Sequence, residues 1–457
     1  MNLVSLHTLL YLVASLTTIE VDSQIQCKDE SGRPVDWYIG YKFPELENDD
    51  RFKSGFAYAY ATSNQLMGYS WRPNQYKSHN PVSRLFNRFK HKIADRIRRR
   101  LHVRSVDTTK STSKTARAGW TLSRYPIDHP SSCVSRTLEI AYTKYSDVNS
   151  IFYNDQPPED DEGKSKSNAR KAHAKGVVLI DKYGEKGIWL THSMPLFPER
   201  RGSRFEFHDN LRRFGQTFMC ISLDFRVYGR QMIQHLINMQ PLVYDYKINE
   251  QVQVSFPEID ALVRGRKQPI TPRLAQTITT QGGKSLNIYS KSIDFNKDMY
   301  AGWIDEELGS GLYVETWRQG NGTPLNSTCP PNAYHVNNIK DLKYDELATW
   351  SYFHDHSKWA ISDDESRGIF CIGDSNRMVS QFKRGGGAIC LKCTSCWQLF
   401  SNTILDIEPC PRNRHNRYNR RNNNNNNNNK HRSYYDNGIH NNYYYNYYSN
   451  KDNISYD

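Results

Sequence analysis

The chain has 457 residues, of which 37% are hydrophobic and 24% charged, and it carries a formal net charge of +13. This length is sufficient for two domain-sized units with apolar cores. No run of about 18 apolar residues follows the first segment of the chain, which argues against a membrane-spanning helix. The sequence therefore predicts a soluble mature protein without stable membrane insertion.

The positive charge is concentrated in two segments. Residues 84–104 contain nine Lys or Arg and one acidic residue, and residues 411–457 contain eight Lys or Arg and three acidic residues. These surpluses of +8 and +5 account for the whole net charge of +13, so the remaining chain is neutral on balance. Composition thus excludes a protein whose entire surface attracts nucleic acid electrostatically.

The first residues of the chain have the pattern of a secretory signal. An apolar stretch extends from Val4 to Leu16, and the sequence then becomes polar and ends in small residues at 21–23. The apolar stretch is too short to span a bilayer. We therefore predict a cleaved signal peptide over residues 1–23.

Nine cysteines and three glycosylation sequons fit entry into the secretory pathway. In an oxidising compartment the cysteines are expected to form disulfides. The cluster Cys390-x2-Cys393-x2-Cys396 could instead hold a metal, but no second CxxC or His pair stands at the spacing of a zinc site. Because the count is odd, at least one thiol is free or intermolecular. The sequons, which are candidate glycosylation sites, are at Asn321, Asn326 and Asn453.

Aromatic and β-branched residues predict strands early in the chain, at 35–44 and 55–60. Residues 71–118 have the character of an insertion between core elements. Within the insertion, apolar residues recur at three- and four-residue steps with basic residues between them, which predicts a basic amphipathic helix over 84–104. The apolar positions are Val82, Leu85, Phe86, Phe89, Ile93, Ile97 and Leu101.

Sequence alone leaves the role of the basic helix open. The simplest interpretation is a surface helix whose basic face is solvated. Two alternatives are a clamp on the phosphate backbone of a nucleic acid and contact with a membrane surface. The tail at 412–457, with eight consecutive Asn at 422–429, lacks apolar periodicity and is predicted to be disordered.

The central and later parts of the chain predict further strands and helices. Helices are predicted at 214–223, 228–237 and 256–263. A β-hairpin is predicted over 173–193. Further strands are predicted at 151–155, 242–248 and 311–317, directly after His356, and at the start of 368–377.

His and Lys stand two residues apart at the start of two strand-like runs, His173-Ala174-Lys175 and His356-Ser357-Lys358. Side chains alternate faces along a strand, so the His and Lys of each motif project to one side, with Cα atoms roughly 7 Å apart. Each motif pairs a nucleophile or proton carrier with a fixed cation, which suits a phosphate diester. One such triplet occurs often by chance, so the hypothesis depends on the pair.

The surroundings of the two motifs suggest an old duplication. His192 follows His173 by 19 residues, and Asn376 follows His356 by 20. Each half thus has an aromatic strand, a His-x-Lys strand and a hairpin partner with a polar end. His192 and Asn376 become candidate site residues, although His192 also fits a packing role and Asn376 a simple turn.

A series of short motifs extends from about residue 27 to residue 410. In their order and number these motifs resemble the deoxyribonuclease II family, whose fold belongs with the phospholipase D superfamily. Besides His173-x-Lys175-Gly176-Val177, they are Pro34-Val35-Asp36-Trp37, Tyr41-Lys42, Tyr153-Asn154-Asp155-Gln156-Pro157-Pro158, His192-Ser193-x-Pro195-x-Phe197-Pro198, Ser290-Lys291, Gly302-Trp303, Asp355-His356-Ser357-Lys358-Trp359, Cys371-x-Gly373-Asp374-x-Asn376-Arg377 and Arg384-Gly385-Gly386-Gly387.

The resemblance implies an α/β fold of the phospholipase D type: a pseudo-dimer of two related halves with mixed sheets flanked by helices, followed by the disordered tail. The halves would cover 24–239, which includes the insertion, and 240–411, and both His-x-Lys pairs would meet across the internal interface. The resemblance offers no partner for Cys133, Cys393 or Cys396. The disulfides that it implies are Cys27–Cys220, Cys371–Cys390 and Cys329–Cys410.

The function implied by the resemblance is that of an acid endodeoxyribonuclease, lysosomal or secreted, which acts on DNA without a metal or other cofactor. Two alternatives belong to other classes. One is a phospholipase D-type lipid hydrolase, and the other is a catalytically silent, secreted protein that binds DNA or other polyanions. The intact His and Lys of both motifs argue against a silent protein.

Two histidines can divide the chemistry of phosphodiester cleavage. In the superfamily that the chain resembles, the histidine of the first half is generally the nucleophile. The resemblance therefore implies that His173 forms a phosphohistidine and that His356 is general acid and base; the opposite assignment remains open. Lys175 and Lys358 would hold the phosphate oxygens, as a metal does in other nucleases. Departure of the 5′ oxygen would leave 3′-phosphate and 5′-hydroxyl ends. Asn376 and His192 would add hydrogen bonds to the phosphate. Because the mechanism needs one neutral and one charged imidazole, we predict a bell-shaped pH profile.

Overall fold

The computed structural model describes residues 25–410 apart from 48, 68–118, 144–146, 161, 166, 203–204, 321, 330 and 332–333. The predicted signal peptide, the basic insertion, Asn321, Asn453 and the predicted disordered tail lie outside the described residues. Within the described part of the chain, no helix is long and apolar enough to cross a membrane.

Most regular structure in the described residues is β-sheet. The strands, numbered in chain order, are β1 Cys27–Lys28, β2 Pro34–Val35, β3 Trp37–Lys42, β4 Tyr58–Thr62, β5 Thr121–Leu122, β6 Asn149–Asn154, β7 Lys175–Ile180, β8 Lys186–His192, β9 Gln216–Asp224, β10 Val243–Lys247, β11 Arg273–Thr279, β12 Ser285–Lys291, β13 Leu312–Glu315, β14 Val336–Tyr344, β15 Ala348–Ser351, β16 Trp359–Ser362, β17 Ile369–Gly373, β18 Gly386–Lys392 and β19 Ile404–Ile407.

The helices of the described residues are few and mostly short. They are α1 Ser63–Met67, α2 Cys133–Tyr142, α3 Phe225–Met239, α4 Glu250–Ser255, α5 Glu258–Val263, α6 Asp305–Leu308 and α7 Thr394–Thr403. The longest, α3, ends at Gln240, which adopts the left-handed conformation that commonly terminates helices.

Two large sheets share one order of neighbouring strands. The first sheet has eight strands in the order β10-β6-β7-β8-β9-β3-β4-β5, and every neighbouring pair is antiparallel. The second has nine strands in the order β11-β12-β18-β17-β16-β13-β14-β15, with β19 paired to β14. Only the second sheet is mixed, since β13 and β14 are parallel. Reading the second order backwards, β13-β16-β17-β18-β12-β11 corresponds to β6-β7-β8-β9-β3-β4.

Apolar residues cover both faces of the two sheets. Along β7, Val178 and Ile180 belong to a central cluster, whereas Val177 and Leu179 belong to a separate cluster on the opposite face. The central cluster also contains Ile361 of the second sheet, together with α3 side chains. The central core and α3 therefore lie between the sheets, and strands buried on both faces require continuous apolar runs.

The predicted strands at 35–44, 55–60, 151–155, 242–248 and 311–317 are confirmed, with shorter bounds at several ends. The hairpin over 173–193 is confirmed as β7 and β8, and the predicted helices at 228–237 and 256–263 correspond to α3 and α5. The strands predicted after His356 and at the start of 368–377 correspond to β16 and β17.

The helix predicted at 214–223 is wrong, because this segment forms β9, which lies between β8 and β3. All but the last residue of β9 are buried, so both faces carry apolar side chains. Such a run lacks the alternation of a half-exposed strand and is indistinguishable by periodicity from a buried helix.

All three disulfides implied by the family resemblance are present: Cys27–Cys220, Cys329–Cys410 and Cys371–Cys390. A fourth joins Cys393 to Cys396 at the start of α7, which resolves the CxxC pair that sequence left unassigned. Cys133 is buried and unpaired, as the odd count required of at least one thiol. Among the described residues, no group of three or more His, Cys, Asp or Glu side chains could hold a metal ion.

Candidate active site

The two His-x-Lys motifs meet where the two sheets face each other. The backbone N–H of His173 donates to the carbonyl oxygen of Gly385 at 3.0 Å, and that of His356 donates to the carbonyl oxygen of Gly215 at 2.8 Å. Gly385 directly precedes β18 of the second sheet, and Gly215 directly precedes β9 of the first. Each motif is therefore held by the opposite sheet through equivalent hydrogen bonds.

Both glycines are required by close packing. A Cβ atom on Gly385 would lie 1.9 Å from the backbone oxygen of Met239, and one on Gly215 would lie 2.6 Å from a carboxylate oxygen of Asp355. Cβ atoms essentially never make contacts this short, so a larger residue at either position would displace its neighbour.

One small cavity brings most of the sequence candidates together. Five of the six candidates line it, and His192 does not. Among the described residues, the lining consists of His173, Lys175, His356, Lys358 and Asn376, with Gln156, Ser193 and Trp317 between them. The cavity thus combines two imidazoles, two ammonium groups and an amide, which can surround one tetrahedral anion.

The His173 ring has a defined tautomer. Its Nδ1 lies 2.7 Å from the backbone oxygen of Asp374, and a carbonyl oxygen can only accept. Nδ1 therefore carries the proton, and in the neutral ring the lone pair is on Nε2. Burial, followed by the nearby Lys175 ammonium, lowers the pKa of His173 well below its usual value, which favours the neutral form of this ring.

Lys175 belongs to a buried charge network. Its ammonium group is hydrogen-bonded to one carboxylate oxygen of Asp155, and the other oxygen accepts a hydrogen bond from Arg384 at 2.7 Å. Burial alone would raise the pKa of Asp155, but Lys175, His173 and Arg384 together lower it below its usual value. The network therefore positions Lys175 firmly and neutralises part of its charge.

The His356 ring lies between two aromatic rings. Its centroid is 4.0 Å from that of Phe214, with nearly parallel planes, and 3.9 Å from that of Trp317. Aromatic faces favour a cation, which helps an imidazolium in this position. Burial first, and then the charges of Lys358 and Lys175, lower the pKa of His356 well below its usual value, so an anion in the cavity is needed to hold its proton.

Lys358 differs from Lys175 in its partners. Its ammonium group donates to the backbone oxygen of His356 at 2.7 Å, and no carboxylate of the described residues lies within ion-pair distance. Burial, followed by the charge of Lys175, lowers the pKa of Lys358 to about 7. Of the two site lysines, Lys358 therefore has the greater need for an anionic ligand.

Asn376 and His192 have different positions. The side chain of Asn376 is 4% exposed, and its Oδ1 has no hydrogen-bond partner among the described residues. His192 instead packs edge-on against Phe197, accepts a hydrogen bond from the backbone N–H of Met194, and has its pKa lowered to about 3 by burial and by Lys175. Its neighbour Ser193 lines the cavity in its place.

Comparison with known proteins agrees with this geometry. A family model described as Deoxyribonuclease II matches residues 26–95 and 89–410. The chain belongs to the deoxyribonuclease II family. It is accordingly an endodeoxyribonuclease with DNA as its substrate.

Relatives of the deoxyribonuclease II family align over most of the chain. Deoxyribonuclease-2-alpha of Mus musculus is 28% identical over 404 residues, which cover 87% of this chain and 97% of the relative. The enzyme of the same name from Sus scrofa is 28% identical over 88% of this chain and 94% of its own. Cell-death-related nuclease 7 of Caenorhabditis elegans is 27% identical over 88% of this chain and 93% of its own.

Several side chains around the cavity were not assigned a role from sequence. Asp155 and Trp317 illustrate the reason, because they occupy equivalent places. Asp155 comes one residue after the position opposite Lys175 in the β6–β7 pair. Trp317 comes one residue after the position opposite Lys358 in the β13–β16 pair. One supplies a carboxylate to Lys175 and the other supplies a ring to His356. The strand register would have identified both positions, but register is not visible in the sequence.

A second pair of buried lysines holds the backbone of segments that contact the site. Lys42, the last residue of β3, donates to the backbone oxygens of Leu211, Arg212 and Phe214. Lys291, the last residue of β12, donates to the backbone oxygens of Gln381 and Arg384. Burial lowers the pKa of Lys42 well below its usual value and that of Lys291 to about 8. Each lysine thus holds the segment that carries a site-contacting residue, Phe214 or Arg384.

We expect Lys42→Met to lower kcat for DNA cleavage by about tenfold, because the Phe214 ring would no longer be fixed against His356. Loss of the side-chain donor to these buried carbonyls should also lower the free energy of unfolding by about 1–3 kcal/mol. Steady-state kinetics and urea unfolding measure the two effects. The control is Lys53→Met, an exposed lysine, and an unchanged kcat in Lys42→Met would contradict this role.

Proposed function

We propose that this chain is a metal-independent acid endodeoxyribonuclease that works through a phosphohistidine and leaves 3′-phosphate and 5′-hydroxyl ends. The proposal depends above all on the convergence of both His-x-Lys motifs on one cavity. A phosphate group placed there would be within reach of both imidazoles and both lysines.

In the proposed first step, Nε2 of His173 attacks the scissile phosphorus and forms a P–N bond while the bond to the 5′ oxygen breaks. His356 in its imidazolium form donates its proton to that oxygen, which leaves as a hydroxyl. In the second step, the now neutral His356 takes a proton from water. The resulting hydroxide attacks phosphorus, and cleavage of the P–N bond releases His173 and the 3′-phosphate.

The proposed charge stabilisation uses Lys175, Lys358 and the amide of Asn376 for the non-bridging oxygens. Two fixed ammonium groups supply the positive charge that a divalent ion provides in metal-dependent nucleases. The unpartnered Oδ1 of Asn376 could equally be the amide nitrogen, because the two ends of the amide are interchangeable by a flip.

An acid optimum follows from the same environment. The mechanism requires one protonated imidazole, and burial together with the site lysines lowers the pKa of both histidines. Protonation therefore requires acidic solution, assisted by the negative charge of the bound diester. A bell-shaped pH profile is expected, because further acidification protonates His173 and removes the nucleophile.

We also propose that the chain is a phospholipase D-like pseudo-dimer whose halves cover 24–239 and 240–411. The corresponding strand orders, the reciprocal His–Gly hydrogen bonds and the equivalent positions of Lys42 and Lys291 support two related halves. Four disulfides support the proposal of a secreted or lysosomal location. Asn326, in the described part of the chain, remains a proposed glycosylation site, as do Asn321 and Asn453.

The function is tested by plasmid nicking at acid pH with and without a chelator. We expect nicking that is insensitive to chelator. We also expect products whose 5′ ends a kinase can label directly, because these ends are free hydroxyls. Chelator-sensitive cleavage, or 5′-phosphate ends, would contradict the mechanism. DNA binding without any cleavage would indicate the silent polyanion-binding alternative, and hydrolysis of choline phospholipids in place of DNA would indicate a lipid hydrolase.

A further inference from the structure

A cavity of about 600 Å³ opens beside the catalytic cavity, and Asn376 lines both. We call it the flanking cavity. Its other lining residues include Arg170 from the segment before His173, Asp294 after β12, and Gln381 and Lys383 between β17 and β18. Its volume is within the range of pockets that enclose small molecules. Both halves of the chain thus contribute to it.

Two buried amides of the flanking cavity have unused hydrogen-bonding capacity. The side chains of Gln381 and Asn376 are each 4% exposed, and within the described residues neither Oε1 nor Oδ1 has a partner. The backbone of Gln381 is anchored, since its carbonyl oxygen accepts from Lys291 at 2.8 Å and its N–H donates to the carbonyl oxygen of Met378. Buried polar groups are almost always satisfied, so buried amide oxygens without a partner in residues that line a cavity indicate a polar ligand.

The rim of the flanking cavity is cationic on balance. Arg170 and Lys383 are exposed there, against the single carboxylate of Asp294. Arg384 also contributes to the lining, but its guanidinium is paired with Asp155. A ligand with a polar, planar part for the amides and an anionic part for the rim matches this distribution.

We propose that the flanking cavity binds the nucleotide next to the scissile phosphate, with its base unstacked and the following phosphate at the rim. The inference depends on the proposed function, because it places this nucleotide relative to a phosphate held between the two His-x-Lys motifs. Asn and Gln amides pair with the donor and acceptor edges of bases. Gln381 therefore contacts the base edge, and Asn376, which lines both cavities, contacts the scissile phosphate. Arg170 and Lys383 contact the following phosphate.

Extraction of one base from the stack has a consequence for substrate choice. Unstacking is least costly at a single-stranded, nicked or mismatched position. We therefore expect faster cleavage of single-stranded than of fully paired oligonucleotides of the same sequence. The preference should be weaker in Gln381→Ala, which loses the base contact but keeps both histidines and both lysines of the catalytic cavity.

The decisive experiment compares a single-stranded oligonucleotide with copies that carry an abasic spacer on either side of one cleavage position. For the unmodified chain, one of the two spacers should lower kcat/KM by about tenfold. Gln381→Ala should lower kcat/KM on the intact oligonucleotide by a similar factor and lose its response to that spacer. The proposal would be overturned if Gln381→Ala lowered kcat/KM by the same factor on intact and abasic oligonucleotides. An equal loss of kcat/KM on bis(p-nitrophenyl) phosphate, which has no flanking nucleotide, would also overturn it.

Binding separates this inference from the proposed function. Fluorescence anisotropy of the labelled oligonucleotides on the His173→Ala chain should show the same dependence on the base and on Gln381. Arg170→Ala and Lys383→Ala should each reduce the salt dependence of log Kd by about 0.7. The control is Lys182→Ala in the turn between β7 and β8, remote from the cavity. Base-dependent binding by an unmodified chain that does not cleave DNA would refute only the mechanism. Cleavage by the unmodified chain without base dependence would refute only the flanking cavity.

Discussion

Replacement of His173 or His356 by alanine is expected to lower the rate of DNA cleavage by about 10⁴-fold or more. In the proposed mechanism each ring has a role that no neighbouring group can assume, since His173 would form the covalent bond and His356 would transfer the proton. The measurement is kcat/KM on supercoiled plasmid at acid pH. His129→Ala, a matched substitution outside the catalytic cavity, should retain activity.

A substrate with a good leaving group tests which histidine is the nucleophile and which is the acid. Bis(p-nitrophenyl) phosphate releases p-nitrophenolate without protonation, so His356→Ala should still form the phosphohistidine. Because hydrolysis of this intermediate requires the base, the variant should release about one equivalent of p-nitrophenolate and then stall. His173→Ala should show no burst. A burst in His173→Ala that is absent from His356→Ala would reverse the two roles.

Substitution Lys358→Arg is expected to change the alkaline side of the pH profile. Because its pKa is lowered to about 7, Lys358 carries its charge in acid and loses it as the pH rises through about 7. In the unmodified chain, log(kcat/KM) should fall by one unit per pH unit once the acid imidazole is deprotonated, and should steepen above pH 7. Arginine remains protonated throughout, so the steepening should disappear. Above pH 7 the ratio of kcat/KM between Lys358→Arg and the unmodified chain should therefore grow about tenfold per pH unit.

Two further variants test which group causes the steeper slope above pH 7. Lys175→Arg should preserve it, because Lys358 is unchanged there. Asp374→Asn tests the nearby carboxyl, whose pKa is raised to about 7 by burial against the attraction of Lys175 and Lys358. Steepening that persists in Lys358→Arg and disappears in Asp374→Asn would transfer the titration to Asp374. Complete profiles from pH 4 to 9 at constant ionic strength provide the comparison.

Local patterns were sufficient to predict the motif-bearing strands. Side-chain alternation placed His173 and Lys175 on one side of a strand start, and β7 begins at Lys175. The same reasoning failed for 214–223, because β9 is covered by apolar side chains on both faces and a continuous apolar run has no diagnostic period. Because β7 is also buried on both faces, uniform burial leaves a run open to a strand or a helix, and the pattern alone does not decide between them.

Long-range contacts between segments that are distant in sequence could not be derived from motifs. Tyr41 and Asp36 stood in sequence motifs without a role, yet Tyr41 donates to Asp355, which lies shortly before β16 of the second sheet. Asp36 accepts from Thr280 at 2.6 Å and from the N–H of Gly282 at 2.6 Å. These partners are more than 240 residues away in sequence, so only the packing of the two sheets identifies them.

The sequence by itself determined the chemistry that this chain can perform: two imidazoles and two ammonium groups at strand starts, within a recognisable series of family motifs. Only the tertiary structure decided how the surroundings of the two His-x-Lys motifs differ. Lys175 lies against Asp155, whereas Lys358 has a lowered pKa and His356 lies between two aromatic rings. The reason is physical: alternation along a strand is a local property, whereas burial and charge proximity depend on segments that meet only when the two sheets pack together.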